Sequence, residues 1–195
     1  MTALPTADVQ KALEFFDRTL ERIVQATHGL SEAQWHFEPA VDRWSIAQIV
    51  EHMVIVEEQV LGPLREQLAQ APAPPADRDH HLVDRVVMER IPDRSIKARG
   101  PDFVRPAGQL RPPAALDRVF QNYKRLATLL ESAADLRGHM MEAAPLRIVT
   151  RGEFTTMDGY QWALALAAHD ERHVRQILEV QADPNYPQTA AGHNA

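Results

Sequence analysis

The chain has 195 residues, a mass of 22.0 kDa, a net charge of -6 at neutral pH and a pI near 5.8. That is enough for one domain with a substantial core, and the wrong sign for a nucleic-acid groove or an anionic membrane surface. There is no cysteine, so disulfides, thiolate metal ligands and a cysteine nucleophile are excluded, and any sulfur chemistry must use a thiol brought by a substrate.

The N-terminal stretch Met1 to Asp8 lacks a basic region followed by an apolar run. No segment approaches the ~20 apolar residues of a membrane span, so a cytoplasmic location is expected. The first periodic segment places Val9, Leu13, Phe16, Leu20, Ile23 and Val24 on one face and Lys11, Glu14, Arg18 and Glu21 opposite, which predicts a helix from about residue 6 to 27 with Gly29 as its stop. A polar connection bearing Trp35, Phe37 and Pro39 follows. Ser45 with Gln48 three residues on has the form of a capping box.

From Ser45 to about Ala69 the residues Ile46, Ile49, Val50, Met53, Val56, Val60 and Leu64 trace an apolar arc. This predicts a second long helix that Gly62-Pro63 bends or divides. Residues 70 to 113 hold eight of the fourteen prolines and form a long irregular connection, with room for a short helix at about His81 to Arg90. A connection of this length either covers a site or moves. A third helix starts near Pro113, with Leu116, Val119, Phe120, Tyr123, Ala127 and Leu130 at helical spacing to about Ala134.

In 136 to 156 the periodicity breaks at Gly138, Pro145 and Gly152, and Arg147-Ile148-Val149-Thr150 is expected to be extended. A last helix capped by Thr156 or Asp158 runs to about Ala182, leaving 183 to 195 as a disordered tail. Four long amphipathic helices without a strand-rich region predict an all-α four-helix bundle over 1 to 182, with a long Pro-rich crossover between the second and third bundle helices.

Chemistry concentrates in three histidines. His169 and His173 are one helical turn apart in Ala168-His169-Asp170-Glu171-Arg172-His173, so their rings can address one ion, and both lie on the flank of the apolar face. His52 sits likewise at the edge of the second helix. Three neutral imidazoles would leave coordination positions open to water or substrate, as in catalytic zinc sites. The bland alternatives are a chance surface pair and a water-bonded interhelical histidine. Asp170 falls near the middle of the apolar arc, where a carboxylate needs a partner; it could orient an imidazole, act as a base, or pair with an arginine. Glu51 and Glu171 are read as facing outward. The His-Asp-Glu-Arg-His order departs from the metalloprotease His-Glu-x-x-His pattern.

Trp44-Ser45-Ile46-Ala47-Gln48-Ile49-Val50-Glu51-His52 resembles the Trp-Ser-x-x-(Glu/Gln)-Ile-x-x-His start of the second helix in the DinB/YfiT-like superfamily. His169-Asp170-Glu171-Arg172-His173-Val174-Arg175-Gln176-Ile177 resembles that family's closing His-x-x-x-His-x-x-Gln-Ile helix, and Gly152-Glu153-Phe154-Thr155-Thr156 its preceding turn. The resemblance implies a DinB-like four-helix bundle with a divalent-metal site at His52, His169 and His173. Zinc or nickel would be the first candidates, with iron, manganese or copper also compatible. It further implies a homodimer, and relatives that are thiol-dependent transferases and isomerases using low-molecular-weight thiols.

Three functions follow as expectations. The first is a thiol-dependent S-transferase acting on a small molecule, its metal activating a substrate thiol. The second is a metal-dependent hydrolase with Asp170 as base. The third is a non-enzymatic, stress-associated metal-binding dimer module. Trp35, Trp44, Tyr123 and Trp162 are read as core rather than pocket, and Arg90, Arg94, Lys97 and Arg99 as solvated loop residues rather than an anion site.

Overall fold

Ala12, Phe15, Phe16, Thr19, Ile23 and Ala26 form the buried stripe of α1 (Thr6–Thr27) in the computed structural model, which describes residues 3–97, 100–132 and 135–188. The helix ends before Gly29, whose φ of 69° is the left-handed conformation that glycine adopts without steric cost. A four-residue turn, α2 (Glu32–Trp35), follows. Then comes α3 (Ile46–Leu61), whose start is set by the expected box: the Ser45 hydroxyl accepts from the Gln48 backbone and the Gln48 side chain from the Ser45 backbone.

Pro63 cannot continue the hydrogen-bond ladder, and the apolar arc divides there into α3 and α4 (Leu64–Gln70). The connection beyond carries α5 (His80–Arg90), capped by Asp79, and a single 3-10 turn at Asp102–Val104. After it come α6 (Pro112–Ser132), β1 (Met140–Glu142), α7 (Ala144–Val149), β2 (Thr156–Asp158) and α8 (Gly159–Gln181). Asp158 caps α8 through a box with Gln161. The two strands pair antiparallel with Met140 opposite Asp158.

Two expectations need correction. Arg147 to Val149 are helical: Pro145 sits in the first turn of α7, where its fixed φ suits a helix, and Leu146 and Val149 turn into the core at helical spacing. The extended residues are those on either side. Nor does a tail begin at 183. Tyr186 is buried edge-on against Phe37, and the Pro187 carbonyl accepts a hydrogen bond from Gln34. The expected tail beyond 188 and the end of the third helix at 133–134 lie outside the described residues.

Side-chain contacts fix the directions of the four long helices. On α8, Tyr160 reaches the Asp8 carbonyl, Glu171 meets Arg22 and Gln181 reaches the Ala26 carbonyl, so α1 and α8 run parallel. Glu51 meets residues 108–110 while Glu57 and Glu58 meet Asn122 and Arg118, so α3 and α6 also run parallel. Arg43 near Glu179 and His52 near His169 make α3 antiparallel to α8, and Phe16 against Tyr123 belongs to the α1–α6 face. Both α1 and α3 pack against α6 and α8, so these consecutive long helices occupy opposite corners of the bundle.

A parallel α3–α6 pair requires the chain to return to the starting end between them. That return is the Pro-rich connection. Within it α5 lies along α8 and parallel to it, pinned by Gln161 to Asp84 at one end and Arg94 to Glu179 at the other. Buried side chains from α1 to Tyr186 form one continuous core.

Candidate metal centre

His52 lies in the second turn of α3, on the side that the capping box turns toward α8, while His169 and His173 occupy successive turns of α8. The antiparallel α3–α8 contact brings the three rings together. Ring centroids are separated by 4.4 to 5.1 Å, and one nitrogen from each falls within 4.8 Å of the others. His52 and His173 are buried, whereas the His169 side chain keeps 20% of its surface exposed.

Each ring is anchored through its Nδ1. That of His52 donates to the Val104 carbonyl at 2.7 Å, that of His169 to Asp170 Oδ1 at 3.1 Å, and that of His173 to Gln176 Oε1 at 2.9 Å. A carbonyl and a carboxylate can only accept here, and the Gln176 oxygen is identified by a second donor, the Arg94 guanidinium at 3.4 Å. In the neutral form of each imidazole the proton is thereby assigned to Nδ1, which leaves a lone pair on Nε2.

Those lone pairs meet. His169 Nε2 is 3.2 Å from His52 Nε2 and 3.1 Å from His173 Nε2. Protonation is resisted: burial, with His169 adjacent, pushes His52 down to about 4, and burial with both neighbouring rings holds His173 well below the ordinary imidazole value. Nε2 acceptors aimed at one another repel unless a cation lies between them. Nitrogens about 2.0–2.1 Å from a shared zinc-like ion are separated by roughly 3–3.4 Å, so the donor set fits a divalent cation.

The carboxylates are arranged differently from the sequence reading. Asp170 has no arginine partner among the described residues; besides His169 it accepts from the Tyr123 hydroxyl at 3.0 Å. Fully buried Glu57, on α3, lies beside Asp170; one of its oxygens accepts from Asn122 at 2.7 Å, and the other has no hydrogen-bond partner among the described residues. Burial and the Asp170 charge raise the Glu57 carboxyl well above its ordinary range.

Glu51 and Glu171 do not face outward. Glu51 is buried and accepts from the backbone N–H groups of Gly108, Gln109 and Leu110, while Glu171 is buried against Arg22 and Arg175. For Glu171 the cover is α1, which supplies Arg22; for Glu51 it is the crossover. Residues 104–110 lie over α3 next to the histidines, so a position that would otherwise meet solvent is covered.

The Trp44 ring lies against His52, tilted by 50° with centroids 4.9 Å apart, which gives the first residue of the Trp-Ser pair a place at the site. Trp35 and Tyr123 are core. Arg94 pairs with Glu179, Arg90 and Lys97 are exposed, and Arg99 lies outside the described residues. Helical periodicity does not single out Glu57, Asn122 or Gln176, although a signal exists. Glu57 continues the stripe Ile46, Val50, Met53, and Asn122 the stripe Ala115, Val119, each a polar residue on a buried face. Gln176 stands one turn beyond His173 on the same side.

The sequence pattern of the DinB superfamily matches residues 16–177. The uncharacterised protein YuaE of Bacillus subtilis (strain 168) is 22% identical over 152 residues, spanning 78% of this chain and 86% of that protein. Among solved structures the chain is similar to YfiT from Bacillus subtilis, described as a probable metal-dependent hydrolase with an unusual four-helix bundle topology. The TM-score is 0.58 with 12% identity, over 93% of this chain and 90% of that one.

Proposed function

The chain belongs to the DinB superfamily, and from that premise we propose that it is a divalent-metal-dependent enzyme using His52, His169 and His173 to hold the ion through Nε2. The observation that carries this reading is the orientation of the rings: every Nδ1–H is committed to its own acceptor, and all three Nε2 lone pairs converge. Once bound, the ion would supply Lewis acidity, lowering the pKa of a thiol or water that enters an open coordination position.

The protein's own groups favour thiol activation. Asp170 lies behind His169 on its Nδ1 side, is fully buried, and has both oxygens engaged, so it orients the ring and is badly placed to take a proton from a substrate. A thiol needs no such base, because a modest fall in its pKa already yields thiolate at neutral pH. We therefore put a thiol-dependent S-transferase first, the thiol coming from a small molecule because the chain has no cysteine. Metal-assisted hydrolysis is the second reading, supported by the description of YfiT. Zinc or nickel as the metal, a homodimer and a cytoplasmic location belong to the same proposal. Among the described residues no helix is long and apolar enough to cross a membrane.

The test is metal analysis of protein purified without an affinity tag, followed by assay of the loaded protein against thiol–electrophile pairs and against ester and amide substrates. Stoichiometric metal with metal-dependent conjugation is expected. Hydrolysis alone would select the second reading. Absence of metal uptake would defeat both and leave a scaffold role, in which histidine substitutions alter stability alone.

A further inference from the structure

Behind His169 four polar side chains from three helices are packed where the bundle could have been apolar. Glu57 and Asp170 are 0% exposed, Asn122 1% and Tyr123 3%. Buried polar groups weaken a core unless each is partnered, and an apolar replacement of the whole set would often be as stable. The partnering here points one way. Tyr123 donates to one Asp170 oxygen and the other accepts from His169, while Asn122 donates to one oxygen of Glu57, whose second oxygen, beside Asp170, has no other partner among the described residues. The acceptors of His52 and His173 lie instead on the crossover side: the Val104 carbonyl for His52, and for His173 the Gln176 side chain, itself held by Arg94. His169 is also the most exposed of the three rings and the one common to both short Nε2 separations.

We infer that Glu57, Asn122 and Tyr123 are positioning residues for the candidate metal centre. They hold Asp170 in the rotamer that receives the Nδ1–H of His169, and so fix the plane in which His169 directs Nε2 toward His52 and His173. The inference rests on the three-histidine reading above. It adds that the site is built through the bundle from α3 and α6 as well as along α8. Removing a supporting group should loosen the His169 ring without removing any metal donor.

Tyr123→Phe deletes only a hydroxyl and keeps the ring against Phe16, at a centroid distance of 5.7 Å; Glu57→Leu removes the carboxyl beside Asp170 and keeps similar bulk. Imidazole nitrogen NMR of the metal-free protein reads the His169 tautomer directly. The wild type should show protonated Nδ1 and bare Nε2, and each variant a tautomer mixture or a displaced Nδ1–H resonance at His169, with His173 unchanged. Titration with cobalt(II) alone should then give about tenfold weaker binding in the variants and a shifted visible spectrum, a change that a merely less stable bundle would not produce. Either variant, folded, with wild-type His169 resonances and a wild-type cobalt spectrum would overturn the inference. A wild type that binds no cobalt would instead defeat the metal reading, and the NMR arm would still decide whether these residues position His169.

Discussion

His52 and His169 stand 117 positions apart in the chain, yet their Nε2 atoms are 3.2 Å apart with no proton assigned to either. That contact is unfavourable until a cation neutralises it. Zinc or nickel at about 100 times its Kd should raise stability by about 2.7 kcal/mol, a Tm rise of roughly 5–10 °C for a chain of this size. The rise should vanish in His52→Ala, His169→Ala and His173→Ala. Calorimetry with and without metal checks it, and an equal rise in the alanine variants would mean that the ion binds elsewhere.

Glu57 makes stability depend on pH with a definite sign. Its folded carboxyl titrates well above 4.5, whereas the unfolded one titrates near it. Between those values the unfolded state has released a proton that the folded state retains, so stability falls as pH rises, by up to about 1.4 kcal/mol per unit. Glu57→Gln carries no such proton. Relative to wild type it should be increasingly stable as pH rises above about 4.5. Urea denaturation at several pH values tests this, and a pH-independent difference would refute the proton assignment.

Arg137 is the single guanidinium shared by Asp8, Asp84 and Asp158, at 2.9, 2.8 and 3.1 Å, with its plane over Tyr160 at 4.2 Å. It joins α1, α5 and the cap of α8 at the end of the bundle remote from the histidine cluster. Arg137→Met keeps much of the packing and leaves the buried Asp84 and Asp158 without that charge. Breaking such a pair from one side costs about 3–5 kcal/mol. Chemical denaturation should show a loss of that size, and a loss below about 1 kcal/mol would show that His80 and the α8 backbone suffice for Asp158.

The meeting of the three histidines was legible because its signals are local: a one-turn spacing in α8, and Ser45 with Gln48 fixing where α3 begins and therefore which way His52 faces. What the sequence leaves open is long-range. Nothing in the amphipathic stripes says that α1 and α3 take opposite corners, since each stripe fits any neighbour. The diagonal arrangement is what makes the crossover necessary and carries residues 104–110 over the site. For the same reason Glu51 reads as a surface residue until its cover is known, whereas Glu57 and Asn122 stand on buried faces where their polarity was itself the sign.

Glu51 is the residue by which that cover is held. Its carboxylate accepts from three successive backbone N–H groups, Gly108 at 2.7 Å, Gln109 at 2.8 Å and Leu110 at 3.3 Å, while the Val104 carbonyl accepts from the next residue of α3, His52. Adjacent positions of one helix therefore fasten two points of the crossover. Glu51→Ala removes one fastening and leaves those N–H groups to water. Hydrogen bonds to a charged acceptor contribute about 1.5–3 kcal/mol, so the opening equilibrium of this segment should rise by a factor of roughly 10–100. Hydrogen exchange at 108–110 should accelerate accordingly while the amides of α8 keep their protection. If α8 loses protection in parallel, the crossover is part of the cooperative core and Glu51 stabilises the whole bundle; if neither changes, the three N–H groups have found other acceptors and the fastening is incidental.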